Sequence, residues 1–108
     1  MMSFERWGYE FDGLYSKPDD LQGASGVYVI WCEAPDDLSV LDVGQSGNVK
    51  ERIQDHERSE CWFRHCSGGH VRYSATYTHN LPEGRRIRME QLIRQLTKPA
   101  CSEHLLIG

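Results

Sequence analysis

Apolar and polar positions along this chain sort into short strand-like runs and two longer periodic stretches. Residues 7–11, WGYEF, set Trp7, Tyr9 and Phe11 against Gly8 and Glu10, the period of a strand. SKPDDLQGASG is then a loop by its Pro, Asp, Gly and Ser content. Residues 26–32, GVYVIWC, are almost continuously β-branched and aromatic, the pattern of a strand covered on both faces. After the turn EAPDD, LSVLDVG reads as a second strand, and so short a connection predicts an antiparallel hairpin.

Asn48 followed by Glu51 has capping-box spacing, and Gly44 and Gly47 bracket the turn before it. The helix it opens places Val49, Ile53 and His56 on one face, with Lys50, Glu51, Gln54, Asp55 and Glu57 elsewhere. SECWFRHCSGGH is irregular. HVRYSATYT alternates, turning Val71, Tyr73, Ala75 and Tyr77 inward and Arg72, Ser74, Thr76 and Thr78 toward water. Asn80 and Glu83 repeat the capping-box spacing with Pro82 in the permissive first turn. A helix follows to about Thr97 with Met89, Leu92, Ile93 and Leu96 as its apolar stripe, and Lys98-Pro99 ends it. The order β-β-α-β-α predicts an α+β fold, a small central three-stranded β-sheet flanked by helices, with a further N-terminal strand.

Length and composition narrow the reading. With 108 residues, the chain is expected to form a single domain with one modest core. No apolar run approaches transmembrane length, and the N-terminus lacks a signal-peptide layout, so a cytoplasmic protein without a membrane partner is expected. On that expectation Cys32, Cys61, Cys66 and Cys101 are reduced thiols. Charge is uneven: residues 1–48 hold two basic and nine acidic side chains, residues 49–108 ten and seven. The net −4 argues against non-specific nucleic-acid binding by the whole surface but leaves room for a basic face in the second half.

Several residues do not fit simple burial. Tyr28 lies in an apolar strand, and alone it reads as a core tyrosine whose hydroxyl finds a partner. Asp42 interrupts the next strand. Arg52 and His56, four apart, can point at one spot. Arg52 adjoins the buried face, where a guanidinium either snorkels outward or meets an anion. Glu90 flanks the stripe of the last helix, where a carboxylate is either solvated or turned into a cleft to hold a divalent metal. Trp62, Phe63, Arg64 and His65 read either as core closure or as an aromatic-basic lip for nucleic acid. Arg85, Arg86, Arg88 and Arg94 form either a solvated helix face or a set of phosphate contacts. His56, Cys61, His65, Cys66 and His70 crowd together, but their spacing matches no usual zinc finger.

Taken in order, GVY at Gly26–Tyr28, DVG at Asp42–Gly44, Arg52 with His56, Glu90, and KPACSE at Lys98–Glu103 resemble the GIY-YIG nuclease superfamily. The resemblance covers about residues 24–103 as a core, leaving 1–23 as an N-terminal extension of the single domain. It implies a metal-dependent endonuclease hydrolysing DNA phosphodiester bonds with one Mg²⁺ or Mn²⁺ ion. By the family pattern Tyr28 helps activate water, Arg52 contacts the scissile phosphate, His56 assists proton movement and Glu90 binds the metal. Gly26, Gly44 and Ser102 support the site, and Lys50, Arg58, Arg64, Arg86 and Arg94 are the nucleic-acid contacts expected on this reading. The second motif carries Asp42 where the family has tyrosine, and Ser102 replaces an asparagine. Asp42 is accordingly expected to be a variant catalytic or metal-site residue, or else to mark a domain that binds nucleic acid or protein without cutting. A zinc-stabilised interaction domain built on the Cys/His cluster is the third reading. Specificity is expected from the domain itself, a homodimer or a separate DNA-binding partner protein.

Overall fold

The computed structural model describes residues 2–101. Its strands are β1 (Ser3–Arg6), β2 (Tyr9–Tyr15), β3 (Gly26–Ala34), β4 (Asp37–Ser46) and β5 (His70–Tyr77). Its helices are α1 (Val49–Gln54), α2 (Ser59–Arg64) and α3 (Glu83–Thr97), and a single 3-10 turn spans Pro18–Asp20. The fold is α+β, with an antiparallel sheet of five strands rather than three, in the order β1-β2-β5-β3-β4. The β3–β4 hairpin is present as expected, and β4 is one edge of the sheet, with β1 at the other.

Two apolar layers sandwich β3, which explains its lack of polar alternation. On one face Tyr28, Ile30 and Cys32 pack with Val49 and Ile53 of α1, Trp62 of α2, and Tyr73 and Ala75 of β5. On the other, Val27, Val29 and Trp31 meet Phe11, Val43 and Met89 and Ile93 of α3. The N-terminal hairpin closes this second layer: Trp7 stacks on Trp31 with ring centroids 5.7 Å apart, and Phe4 stacks on Phe11. Trp7 reaches that position from the turn between β1 and β2, at φ 54°, so it is a turn residue and not part of a strand. Covering both faces also overturns the expected wet face of β5, where Ser74 and Thr76 are buried, as is Thr78 just after the strand. The Ser74 hydroxyl accepts from Trp31 Nε1 at 2.8 Å and donates to the Val29 carbonyl at 3.0 Å, so its burial leaves no orphaned group.

The helices differ from expectation in four ways. Asn48 caps α1 as predicted, its Oδ1 accepting from Glu51 N–H at 3.1 Å, but α1 ends at Gln54, so His56 lies in the connection after it. The stretch read as irregular contains α2, whose Trp62 is buried while Phe63 is exposed. In α3 the N-cap is Pro82, because Asn80 takes a left-handed φ of 66° in the preceding turn. Only Met89 and Ile93 of its stripe are buried; Leu92 and Leu96 face outward. Arg86, Glu90 and Arg94 are half-buried instead, on the side of α3 that meets β4.

Cysteine chemistry is also corrected. Cys32 pairs with Cys66 and Cys61 with Cys101, both as disulfides, so the expectation of four reduced thiols does not hold. Disulfides persist in oxidising compartments, so these pairs lend no support to the cytoplasmic expectation. Among the described residues, no helix is long and apolar enough to cross a membrane. Ser102 lies outside the described residues.

Candidate active site at the β4 edge

The site begins with a register. Antiparallel pairing sets Tyr28 of β3 opposite Gly44 of β4. The Tyr28 ring lies over that glycine so closely that a Cβ there would fall 2.2 Å from both Cζ and Oη. Gly44 is therefore required by the tyrosine rather than by the turn that follows. Gly26, the other expected supporting glycine, lets β3 approach β5; a Cβ there would sit 2.5 Å from the Thr76 carbonyl oxygen.

Tyr28 Oη meets His56 Nε2 at 2.7 Å, with both side chains buried. The direction of this bond follows from the other ring nitrogen. His56 Nδ1 accepts from the Arg58 backbone N–H at 3.0 Å, so the neutral ring carries its proton on Nε2 and donates to Tyr28. Trp62 packs on the imidazole at a centroid distance of 4.7 Å. Burial first, then Arg52 and Arg58, lowers the pKa of His56 to about 4, so at neutral pH the ring is uncharged. Burial likewise pushes the Tyr28 phenol well above its usual range. Arg52 and Arg58 pull that phenol back down, while the Asp42 and Glu90 carboxylates push it up. Charges from three separate elements thus act at one phenol.

Asp42 is fully buried, and donors meet both of its oxygens. Arg58 Nε donates to Oδ2 at 2.7 Å and Trp62 Nε1 to the same oxygen at 2.8 Å. Val43 N–H and Arg58 Nη2 donate to Oδ1 at 2.8 and 3.2 Å, and Arg94 Nη2 stands 3.9 Å away. Such a carboxylate is committed to holding arginines in place. Each oxygen already accepts from two donors, so this geometry gives Asp42 a positioning role that the sequence reading did not include. Its strand carries a bulge between the Ile30–Asp42 and Trp31–Val40 pairs, so Leu41 and Asp42 both lie on the side of the first apolar layer.

Arg52 points to Glu57 instead of into the core, through paired bonds of 2.8 Å from Nη1 and Nη2. The same fork would grip a phosphate. Arg52 holds the Glu57 carboxyl down to about 2, so the exposed acid is ionised at neutral pH. From the far face, α3 reaches round the β4 edge. Arg94 donates to the Val43 carbonyl and pairs with Glu90 at 3.4 Å, while Arg86 Nε donates to Gln45 Oε1 at 2.6 Å. Tyr28, Asp42, His56 and Arg58 are joined by direct contacts, and Glu90, Arg94 and Arg52 adjoin that group. Arg64 stands exposed on α2 and Lys50 half-buried on α1. The sequence reading gave Glu57 no role in the site, and it read Trp62 as core closure or as part of an aromatic-basic lip, not as a donor to Asp42. Arg58, expected as a nucleic-acid contact, is the partner of Asp42.

No family model, curated protein or solved structure matches the chain.

Of the carboxylates here, Glu57 is taken up by the Arg52 fork, which leaves Glu90 as the candidate ligand for a divalent cation. Glu90 is partly exposed and next to a cation, whereas Asp42 is saturated. That donor set fits a largely hydrated Mg²⁺ or Mn²⁺, which keeps most of its waters and shares its shell with a phosphate. It does not fit an ion caged entirely by protein.

Proposed function

We propose that the chain is a metal-dependent endonuclease of the GIY-YIG type that hydrolyses DNA phosphodiester bonds at the β4 edge. The Tyr28–His56 pair among Arg52, Arg58 and Arg94 is the observation that carries the reading. A buried phenol bonded to a neutral histidine and set among guanidinium groups suits hydrolysis of an anionic ester.

In this reading Arg52 leaves Glu57 to take a phosphate oxygen, and Arg58, fixed by Asp42, adds positive charge beside it. Tyr28 as phenolate accepts a proton from the attacking water. The water oxygen bonds to phosphorus, the P–O bond to the leaving oxygen breaks, and that oxygen takes a proton from solvent. His56 stabilises the phenolate through its Nε2–H. A cation held by Glu90 would neutralise phosphate charge. Because the phenol pKa is raised, the reactive form is scarce at neutral pH, and the rate should rise about tenfold per pH unit through the mildly alkaline range.

A second reading, nucleic-acid binding without cleavage, is favoured by Asp42, which occupies the second motif's tyrosine position and is fully engaged. Cleavage assays with duplex, nicked, branched and single-stranded DNA, and with RNA, in Mg²⁺ or Mn²⁺ separate the two. Metal-dependent cutting of at least one DNA substrate supports the nuclease. Salt-sensitive binding with no cutting of any supports the module.

A further inference from the structure

Away from this site, α2 and the segment after α3 bring together a second cluster. Cys61 and His65 are four residues apart at the end of α2, so their side chains share a face. Cys101 is delivered by main-chain bonds from Ala100 N–H to the Val40 carbonyl and from Cys101 N–H to the Leu41 carbonyl. Those bonds hold Cys101 beside α2 independently of its sulfur chemistry. The three ligand atoms, two Sγ and one imidazole nitrogen, lie within 4.8 Å of one another.

We propose that, once the Cys61–Cys101 disulfide is reduced, Cys61, His65 and Cys101 bind one Zn²⁺ ion. Two edges of a tetrahedral site, those between nitrogen and each sulfur, already have about the right length. Zn–S bonds of about 2.3 Å and Zn–N bonds of about 2.0–2.1 Å place sulfur and nitrogen about 3.6 Å apart along a tetrahedral edge. His65 Nδ1 lies 3.5 Å from Cys61 Sγ and 3.9 Å from Cys101 Sγ. Only the two sulfurs must separate, to about 3.8 Å. The Cα atoms of Cys61 and Cys101 are 6.0 Å apart, so rotation of two side chains achieves this without moving either backbone.

The chemistry balances with a thiol as reductant. Two thiols of the reductant give up two electrons and two protons to the disulfide, forming their own disulfide and leaving two cysteine thiols. Zn²⁺ then displaces both thiol protons to solvent. His65 frees Nδ1 by moving its proton from there to Nε2. The Cys61 carbonyl that Nδ1 now approaches at 3.0 Å keeps its bond from His65 backbone N–H. Exposure of His65 gives the ion a way in. Disulfide and zinc are alternative occupants of one site, and each ties residue 101 to α2. The Cys32–Cys66 pair takes no part, and the inference does not depend on the nuclease reading.

The test is zinc titration of the full chain, reduced by dithiothreitol, desalted without oxygen and competed with a chromogenic chelator. One Zn²⁺ per chain is expected, with affinity reduced at least a hundredfold by Cys61→Ser or Cys101→Ser and at least tenfold by His65→Ala. Cys32→Ser/Cys66→Ser should retain the full stoichiometry. Should the cysteine variants fail to fold, Co²⁺ added to reduced wild-type chain decides: intense near-ultraviolet thiolate-to-metal absorption with tetrahedral visible bands, diminished in His65→Ala, supports the site. A reduced wild-type chain that takes up no zinc, or zinc that survives Cys101→Ser and leaves with Cys66→Ser, overturns it.

Discussion

Arg58 embraces Asp42 at a point where the carboxylate is wholly buried, Nε meeting Oδ2 at 2.7 Å and Nη2 meeting Oδ1 at 3.2 Å. The pair is the frame of the site, because Asp42 also takes Trp62 Nε1, and the Arg58 backbone fixes the His56 tautomer. Removing one partner strands the other charge. Asp42→Asn should cost about 3 kcal/mol or more in chemical denaturation. A double-mutant cycle with Arg58→Met should recover much of that loss. Equal, additive losses would mean that the contact carries no coupling.

Gly44→Ala tests the register of the two motif strands. Its Cβ would sit 2.2 Å from the Tyr28 ring and hydroxyl, and a ring packed in the core cannot swing clear. The expected outcome is destabilisation of about 1–3 kcal/mol, read as a lower denaturation midpoint, with cleavage reduced at least tenfold.

His56 makes stability depend on pH. Its folded pKa is lowered to about 4 from 6.5, so between those values the unfolded chain binds more protons than the folded one. Stability is therefore fully present above pH 6.5 and is lost as pH falls toward 4, by a total on the order of 3 kcal/mol. Denaturation midpoints across that window should fall for the wild type, with a shallower fall for His56→Asn.

Glu57 occupies the arginine fork that a phosphate would need. Glu57→Gln should bind short duplex DNA several-fold more tightly at low salt, measured by fluorescence anisotropy, with the gain shrinking as salt rises. Unchanged affinity would show that Arg52 does not meet the phosphate.

Local chemistry made part of this legible. The β3–β4 hairpin and the Asn48 cap follow from short-range patterns. Other features depend on distant partners. Trp7 sits in a turn because Trp31 offers it a stacking surface, which no alternation in WGYEF reveals. Leu92 and Leu96 face out because α3 turns Arg86, Glu90 and Arg94 toward β4, rotating the buried face so that only Met89 and Ile93 of the apolar stripe stay in the core. Cysteine pairing was hidden for another reason: four cysteines admit three connectivities, and spacing chooses none. Asp42 looked like a reactive carboxylate because its partners, Arg58 and Trp62, lie 16 and 20 residues further on.

The central claim is that the β4 edge hydrolyses DNA, and nicking of supercoiled plasmid by purified chain tests it most directly. With Mg²⁺ or Mn²⁺ the wild type should convert supercoiled to open-circular plasmid, chelation should stop it, and Glu90→Ala, Arg52→Ala and Tyr28→Phe should each lower the rate at least a hundredfold. Nicking that persists unchanged in both Glu90→Ala and Arg52→Ala, or a folded wild type that leaves every plasmid supercoiled, would contradict it.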